Sequence, residues 1–200
     1  MTASNSPRVP VAVLISGAGS NMAAILDAAG AADAAFEVVV VISNVPEAGG
    51  LTLAAERGVP AVVVDHRGHG RDRQAHERAI QAVLEAHGVE VVALAGYMRL
   101  LSPWLVAAWE GRMLNIHPSL LPRHPGLDTH ARALAAGDAE AGCTVHLVID
   151  DVDAGPILGQ SRVPILPGDD AEALSARVRT AEHVLYPAVL DRFCRDSRRP

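Results

Sequence analysis

Short hydrophobic runs alternate along the chain with segments in which hydrophobic residues recur every three or four positions. A run that ends at glycine or at a polar turn is typical of a buried strand, whereas the wider spacing is typical of a helix with one buried face. The predicted strands span residues 11–15, 36–42, 59–64, 89–94, 112–117, 143–149 and 157–165. The first predicted helix begins at Ser20-Asn21, which have N-cap chemistry. The other predicted helices span residues 51–57, 71–87, 103–108, 129–136 and from 170 to beyond Tyr186.

This order of elements predicts an α/β fold: a doubly wound, mostly parallel sheet with helices on both faces, as in Rossmann-like proteins. We expect a single domain over residues 1–200, with frayed ends at 1–8 and 195–200. Pro187 lacks the N–H that a helix requires and therefore predicts a kink or break in the last helix. Ligands of such sheets bind beyond the carboxyl ends of the strands, which directs attention to the loops after the first, fourth and fifth strands.

Composition and charge exclude several classes of protein. The chain has 200 residues and a formal net charge of -6 without a basic tract, so we expect no nucleic-acid partner. It has no apolar stretch of about 18 residues and no signal-like start, which predicts no membrane contact and a cytoplasmic location. Cys143 and Cys194 form no C-x-x-C pair, in agreement with a reducing compartment. His66 and His69 have a possible ligand spacing but no third ligand, so no metal is expected.

A glycine-containing loop, Ser16-Gly-Ala-Gly-Ser-Asn21, lies between the first predicted strand and its helix. Backbone N–H groups at a helix N-terminus favour an anion, and glycines allow a phosphate to approach closely. Gly17 and Gly19 fit the dinucleotide fingerprint, but Met22 stands where its third glycine belongs, and the second strand ends in Ser43-Asn44 without the expected acid. The loop therefore favours a single phosphate over a dinucleotide. A simple tight turn before a helix is the alternative.

The strand predicted at residues 112–117 carries the strongest catalytic signal. Because side chains alternate along a strand, Asn115 and His117 share one face near its carboxyl end. An amide can stabilise an oxyanion and an imidazole can move a proton, which together suit acyl transfer. The acidic turn at residues 150–156 could supply an Asp that orients the His. A structural His and a solvated turn remain the alternatives on these residues alone.

Five motifs occur together and in order: Ser16-Gly-Ala-Gly-Ser-Asn21, Leu94-Ala-Gly-Tyr-Met-Arg-Leu-Leu-Ser-Pro103, Asn115-Ile-His-Pro-Ser-Leu-Leu-Pro122, Asp153-Ala-Gly-Pro156 and Arg177-Val-Arg-Thr-Ala-Glu-His183. Through them the chain resembles the phosphoribosylglycinamide formyltransferases, the folate-dependent enzymes of purine synthesis. The resemblance covers residues 11–193, and the combination of motifs makes chance agreement a poor explanation.

The resemblance implies a role for each matching residue. The catalytic trio would be Asn115, His117 and Asp153. The ribonucleotide side would comprise a phosphate loop of Gly19, Ser20 and Asn21, together with Arg179 and Glu182, the latter at the ribose hydroxyls. The folate side would comprise Arg73, Met98, Arg99, Leu100, Leu101 and the backbone from Ile149 through Asp150, Asp151 and Val152 to Asp153, with Leu94, Val106 and Met113 lining the apolar pterin pocket.

The reaction that the resemblance implies is formyl transfer from 10-formyltetrahydrofolate, a co-substrate, to the glycine amine of 5-phosphoribosyl glycinamide, without a metal. Asn115 and a protonated His117 would stabilise the oxyanion, and Asp153 would hold His117 and raise its pKa. The expected partners are small molecules only, and the expected assembly is a monomer or a homodimer. Ala18, Ala154 and Arg179 depart from the residues that many or some relatives carry, which affects substrate contacts but not the trio.

Four alternative activities fit part of this pattern. Methionyl-tRNA formyltransferase shares the trio but adds an RNA-binding domain, for which we expect this chain to be too short and too acidic. Formyltetrahydrofolate deformylase also shares the trio, but it has an N-terminal regulatory domain and lacks this phosphate loop. A nicotinamide-dependent oxidoreductase fits the fold and fails the fingerprint. A non-catalytic nucleotide-binding module would not need an Asn–His–Asp set.

Overall fold

The computed structural model describes residues 7–70 and 72–198, which form seven strands, six α-helices and a 3-10 turn at His66–His69. The strands are β1 (Val9–Ile15), β2 (Phe36–Ser43), β3 (Ala61–Val63), β4 (Val91–Leu94), β5 (Met113–His117), β6 (Glu140–Leu147) and β7 (Ile157–Pro164). The helices are α1 (Ser20–Ala29), α2 (Gly49–Glu56), α3 (Arg73–Ala86), α4 (Pro103–Ala108), α5 (Thr129–Ala135) and α6 (Ala171–Ser197).

All seven strands belong to one sheet in the order β3-β2-β1-β4-β5-β6-β7. The pairs from β3 to β5 are parallel, whereas β5–β6 and β6–β7 are antiparallel. The chain turns from one half of the sheet to the other between β1 and β4, the switch point at which such sheets bind ligands. The predicted doubly wound, mostly parallel sheet is therefore confirmed.

Two hydrophobic clusters cover the two faces of the sheet. One contains buried residues of α1, α2 and α6, and the other contains buried residues of α3 and α4. The alternation along β5 divides it between them: Met113 packs in the second cluster, while Leu114 and Ile116 pack in the first. Asn115 and His117 thus emerge on the face covered by α3 and α4, at the carboxyl end of the strand.

The structure corrects the sequence-based prediction at three places. The predicted strand at 143–149 begins at Glu140 and ends at Leu147. The N-cap of α1 is Gly19, in the left-handed region with φ 76° and without a side-chain cap, so Ser20 and Asn21 lie inside the first turn. Of the kink or break predicted at Pro187, the break is wrong, because α6 continues through this buried residue, packed against β6 and β7.

Arginine side chains near both ends of the described chain make polar contacts. The guanidinium of Arg8 donates to the carbonyls of Ala29 and Ala31 at the end of α1. Arg195, in the last turn of α6, pairs with Asp191 at 2.7 Å. The remaining parts of the ends predicted to fray, 1–6 and 199–200, lie outside the described residues. Within 7–70 and 72–198, no helix is long and apolar enough to cross a membrane.

Tyr186 of α6 joins the two central strands of the sheet from one side. Its side chain is fully buried, and its hydroxyl donates to the carbonyls of Leu94 and Leu114, each at 3.1 Å. These carbonyls lie on β4 and β5, the strands whose carboxyl ends carry the candidate catalytic residues. The hydroxyl therefore holds α6 and the two strands at a fixed spacing.

Replacing Tyr186 with Phe should lower the free energy of unfolding by about 1–2 kcal/mol, because the two buried carbonyls lose their shared donor. Urea titration followed by circular dichroism measures this change. Tyr97→Phe is the matched control, since Tyr97 is also buried but no hydrogen bond of its hydroxyl joins it to another described residue. Equal losses in the two variants would contradict the role of the Tyr186 hydroxyl.

Candidate active site

The candidate site lies where β1, β4 and β5 end. The loop after β1 carries the predicted phosphate-binding residues, and the loop after β4 carries Met98 to Leu101. His117 closes β5, and the turn between β6 and β7, which begins beside Met113 at the other end of β5, folds back so that Asp153 reaches His117. The parallel strands and this antiparallel turn thus bring together side chains that are far apart in sequence.

The predicted catalytic trio is brought together, with a fourth residue between two of its members. Nδ1 of His117 lies 3.3 Å from Oδ2 of Asp153, and both side chains are less than a tenth exposed. Oδ1 of Asp153 lies 3.6 Å from Nε2 of His146, which in turn lies 3.2 Å from Nδ2 of Asn115. Asn115, His146, Asp153 and His117 therefore form one continuous polar chain.

Sequence analysis did not find His146. The antiparallel pairing of β5 and β6 places it directly opposite Asn115, and it is buried. Its Nδ1 contacts the Leu147 carbonyl at 2.9 Å, so the tautomer that satisfies both ring nitrogens donates from Nδ1 and accepts the Asn115 amide at Nε2. Only knowledge of the strand order could have revealed this neighbour, since 31 positions separate the pair.

The tautomer of His146 leaves Asn115 with a role as donor. One of the two N–H groups of the Asn115 amide is used on His146, and the amide has a second N–H. The side chain is only half-buried, so this second donor can meet a ligand oxygen. A fixed amide at this position suits an oxyanion, which gains from donors that need no reorganisation.

The electrostatic state of His117 differs from the sequence-based expectation. Burial lowers the pKa of His117, because desolvation disfavours imidazolium, and the hydrogen bond to the His124 carbonyl and the charge of Asp153 only partly oppose this. The positive charge of Arg132 lowers it further. The carboxylate of Asp153 thus raises the pKa of His117 as expected, but it does not offset burial, and the net shift of the pKa is downward.

The carboxylate of Asp153 stays ionised in this environment. Burial by itself would raise the pKa of Asp153, but contacts from His146, the Gly126 N–H and His117 lower it overall. The Gly126 N–H donates to Oδ2 at 2.8 Å. Asp153 also has φ of 55°, a left-handed conformation that is uncommon outside glycine and is better tolerated by Asp. The turn therefore holds this side chain towards His117.

The segment between β5 and α5 contacts both His117 and Asp153 through its backbone. Nε2 of His117 donates to the His124 carbonyl at 3.1 Å, and Gly126 supplies the N–H that binds Asp153. With the proton on Nε2, the neutral His117 presents its lone pair at Nδ1 to the carboxylate. A proton that arrives at Nδ1 converts this contact into an ion pair.

At Gly19 the predicted phosphate loop lies close to the start of α2. Gly19 has φ of 76°, and a Cβ placed there would lie 2.7 Å from the Cα of Gly50 at the start of α2. The Gly50 N–H donates to the Gly17 carbonyl at 3.1 Å, which fixes the two loops together. Glycine is thus required at position 19 for both conformation and space.

A hydrogen bond joins the predicted phosphate loop to α6. Nδ2 of Asn21 donates to Oε2 of Glu182 at 2.8 Å, and Oδ1 of Asn21 is buried without a hydrogen-bond partner among the described residues. Burial raises the pKa of Glu182, while Asn21 and the charge of Arg179 act against this. Two residues predicted for the same ligand, from opposite ends of the chain, are therefore in direct contact.

Two further histidines near Arg179 were not identified from the sequence. Nε2 of His130 and Nε2 of His183 are buried and make no hydrogen bond within the described part of the chain. Burial lowers the pKa of each, and the charge of Arg179 lowers both further. Buried polar atoms are nearly always satisfied, so each of these nitrogens has the capacity to bind a water molecule or a ligand atom.

The segments predicted for the folate side flank one apolar floor. Leu101 and Val148 pack against the cluster that contains Leu94 and Met113. Above this floor the side chains that the two segments expose include four large hydrophobic ones: Met98, Leu100, Ile149 and Val152. The exposed carboxylates of Asp150 and Asp151 border them, Arg99 is half-buried, and Val106 is buried in α4.

Hydrogen bonds of Ser16 and of Glu77 hold the loop that contains Met98 and Leu101. The Ser16 hydroxyl donates to Oδ1 of Asn44 at 2.5 Å and accepts the Met98 N–H at 2.8 Å. The carboxylate of Glu77 accepts the Ser102 N–H at 2.7 Å and also the Ser102 hydroxyl. Arg73 lies one turn before Glu77 on α3, exposed on the same face of that helix.

Comparison with known proteins places this geometry in a family. The family model described as formyl transferase matches residues 9–190, so the chain belongs to the formyl transferase family. It is 43% identical to the phosphoribosylglycinamide formyltransferase of Escherichia coli K12, over 92% of the chain and 86% of that protein. The crystal structure of the phosphoribosylglycinamide formyltransferase of Brucella melitensis is 52% identical, covers 94% of this chain and 96% of its own, and has a TM-score of 0.89.

Longer relatives contain a comparable segment. The chain is 47% identical to the trifunctional purine biosynthetic protein adenosine-3 of Drosophila pseudoobscura pseudoobscura, over 93% of the chain. It spans 14% of the length of that protein. The similarity therefore concerns one part of a protein with several functions.

Removing the charge of Asp153 should lower the pKa of His117 still further. Asp153→Asn keeps the shape but removes the attraction that favours imidazolium, so the ring should lose its proton at lower pH than in the wild type. NMR titration of the His117 ring measures this directly. Asp151→Asn, in an exposed position of the same turn, is the matched control and should leave the titration unchanged. An unchanged His117 titration in Asp153→Asn would show that the carboxylate acts on something else.

Proposed function

We propose that this chain transfers the formyl group of 10-formyltetrahydrofolate to the glycine amine of 5-phosphoribosyl glycinamide. The products are formylglycinamide ribonucleotide and tetrahydrofolate, in the de novo synthesis of purines. The observation that carries the proposal is the contact of His117 with Asp153 beside Asn115, at the same sheet edge as the loop joined to Glu182. Membership of the formyl transferase family supports the same chemistry.

The two ligands would occupy opposite sides of the trio. The ribonucleotide phosphate would meet the N–H groups at the start of α1, where Gly19 gives close access and the helix dipole favours an anion. Glu182 and Arg179 would contact the rest of the ribonucleotide. The folate would lie against the exposed apolar side chains around Met98 and Val152. Holding the amine beside the formyl carbon supplies the entropic part of catalysis.

Formyl transfer requires one nucleophilic attack and one net proton movement. The amine nitrogen forms a bond to the formyl carbon, and the second N–H of Asn115 stabilises the oxyanion of the tetrahedral intermediate. The bond from this carbon to N10 of the folate then breaks. A proton leaves the amine and arrives at N10, so the chain returns to its starting state.

His117 is suited to carry this proton because its lowered pKa leaves the ring neutral at neutral pH. Nε2 is occupied by the His124 carbonyl, so the atom that takes up the proton is Nδ1, beside Asp153. The carboxylate stabilises the imidazolium that forms, and the ring then releases the proton from Nδ1 to the leaving nitrogen. No covalent intermediate with the chain is needed.

The proposed reaction needs no metal, and among the described residues no group of three or more His, Cys, Asp or Glu side chains could hold one. Cys143 and Cys194 are buried free thiols, and burial raises the pKa of each to about 12, so neither is prepared to act as a nucleophile. We place the activity in the cytoplasm, where thiols remain reduced, with small molecules as substrates.

The direct test is an assay of the purified chain with 10-formyltetrahydrofolate and glycinamide ribonucleotide, followed by the absorbance of the folate product. Product should form only when both substrates are present. Release of formate without the ribonucleotide would instead indicate a hydrolase. Formylation of methionyl-tRNA but not of the ribonucleotide would overturn the proposed substrate.

Asn115→Ala should lower kcat by about 100- to 1,000-fold, the usual effect of removing one oxyanion donor. KM for each substrate should change much less, because the donor acts mainly in the transition state. Steady-state kinetics with each substrate varied in turn separates the two effects. Gln81→Ala provides the comparison, because it removes an amide of α3 that bonds only Glu85 and Trp109 among the described residues, outside the proposed site. Activity of Asn115→Ala within about threefold of the wild type would refute the role.

Glu182→Gln should raise KM for the ribonucleotide by about tenfold or more, because loss of a charged acceptor weakens a hydrogen bond to the ribose. KM for the folate should stay within about twofold. The matched control is Glu172→Gln, an exposed glutamate in the first turn of the same helix. Equal rises in both KM values would show that Glu182 supports the fold and not the ribonucleotide.

A further inference from the structure

One ion pair outside the trio holds the backbone that contacts His117. Nε2 of His124 lies 2.7 Å from Oδ2 of Asp138, and both side chains are less than a fifth exposed. Asp138 follows α5, whereas His124 lies in the segment between β5 and α5. The pair therefore connects this segment to the beginning of β6.

The backbone at His124 needs such an anchor. It has φ of 52°, in the left-handed region that costs energy for a residue with a Cβ. In this conformation the His124 side chain turns to Asp138 while its carbonyl oxygen lies 3.1 Å from Nε2 of His117. Two residues later, the Gly126 N–H donates to Asp153. One short segment thus contacts both partners of the catalytic ion pair.

The acceptor at Nε2 decides which nitrogen of His117 is basic. A neutral imidazole carries one proton, and a carbonyl that accepts from Nε2 leaves Nδ1 as the lone-pair nitrogen. Asp153 lies beside Nδ1, so this tautomer is the one in which proton uptake forms an ion pair. Without the His124 carbonyl, the neutral ring gains by placing its proton on Nδ1, where the carboxylate accepts it.

We propose that His124 and Asp138 are positioning residues that fix the tautomer of His117 for the formyl transfer proposed above. Their ion pair stabilises the left-handed backbone at His124, and this backbone presents the carbonyl that keeps the His117 proton on Nε2. Neither side chain touches the reacting atoms. The inference rests on the proposed function for its catalytic consequence, but not for its effect on the tautomer.

The titratable and charged groups near His117 and near the His124–Asp138 pair can be named individually. His117 is approached by Asp153, His146, Arg132 and His130. Asp138 is approached, besides His124, by the exposed Arg123, whose Nη1 lies 3.8 Å from Oδ1. Arg123 therefore shares the carboxylate without holding the segment at His124, which makes it the matched control.

The experiment measures the ring nitrogen shifts of His117 by NMR, together with kcat and KM. In Asp138→Ala the His117 tautomer should move from Nε2–H towards Nδ1–H, and kcat should fall about tenfold with KM within about twofold, since small losses of orientation act mainly on the chemical step. In Arg123→Ala the tautomer and kcat should equal those of the wild type. In His124→Gln the Gln amide can still donate to Asp138. The His117 tautomer and kcat of this variant should therefore be close to those of the wild type, whereas those of His124→Ala should not.

Three outcomes decide the proposal. An unchanged His117 tautomer in folded Asp138→Ala overturns it. A similar loss in Arg123→Ala also overturns it, because the effect would then follow from charge near Asp138 in general. If Asp138→Ala does not fold, the comparison of His124→Gln with His124→Ala takes its place. A wild type that transfers no formyl group would refute the proposed function, whereas the NMR result would still decide the positioning role.

Discussion

The contact between Asp153 and His117 is the interaction on which the rest of the site depends. A buried carboxylate and a buried imidazole stabilise each other only if both are held, and each is held by a different part of the fold. His117 is fixed by β5 and by the His124 carbonyl, and Asp153 is fixed by its turn, His146 and the Gly126 N–H. Burial lowers the pKa of His117, and the carboxylate limits that loss. The balance leaves a base that can accept one proton and release it again.

The architecture explains why these groups meet. Parallel strands place their carboxyl ends at one edge. Because β6 runs antiparallel to β5, the turn after β6 begins at the other end of β5 and folds back until Asp153 contacts His117. Tyr186 ties α6 to β4 and β5, and the same helix carries Glu182 to the loop after β1. A single long helix thereby supports the sheet on its buried face and one side of the ligand site near its middle.

Much of the fold could be predicted, because hydrophobic runs and helical spacing depend on local sequence. The trio could be predicted as well, since Asn115 and His117 share a face and the family motifs include Asp153. His146 could not, because its place depends on the antiparallel register of β5 and β6. The net direction of the His117 pKa could not either, because burial is a property of the folded chain. The N-cap at Gly19 was missed because Ser20 and Asn21 are the more usual N-cap residue types. In the structure Gly19 takes this position with a left-handed backbone, and the side chain of Asn21 bonds Glu182 instead.

The close approach of Gly19 and Gly50 limits how this protein can vary. A methyl group on Gly19 would lie 2.7 Å from the Cα of Gly50, and one on Gly50 would lie 2.5 Å from Cδ1 of Ile15. A side chain at Gly19 therefore requires the start of α2 to move away, and one at Gly50 requires Ile15 to move and crowds Gly19, so the two positions constrain each other. A redesign of the proposed phosphate site would leave this junction unchanged and act through neighbours such as Ala18, which is exposed. Changes in substrate selectivity are therefore expected at residues around this junction and not at the two glycines themselves.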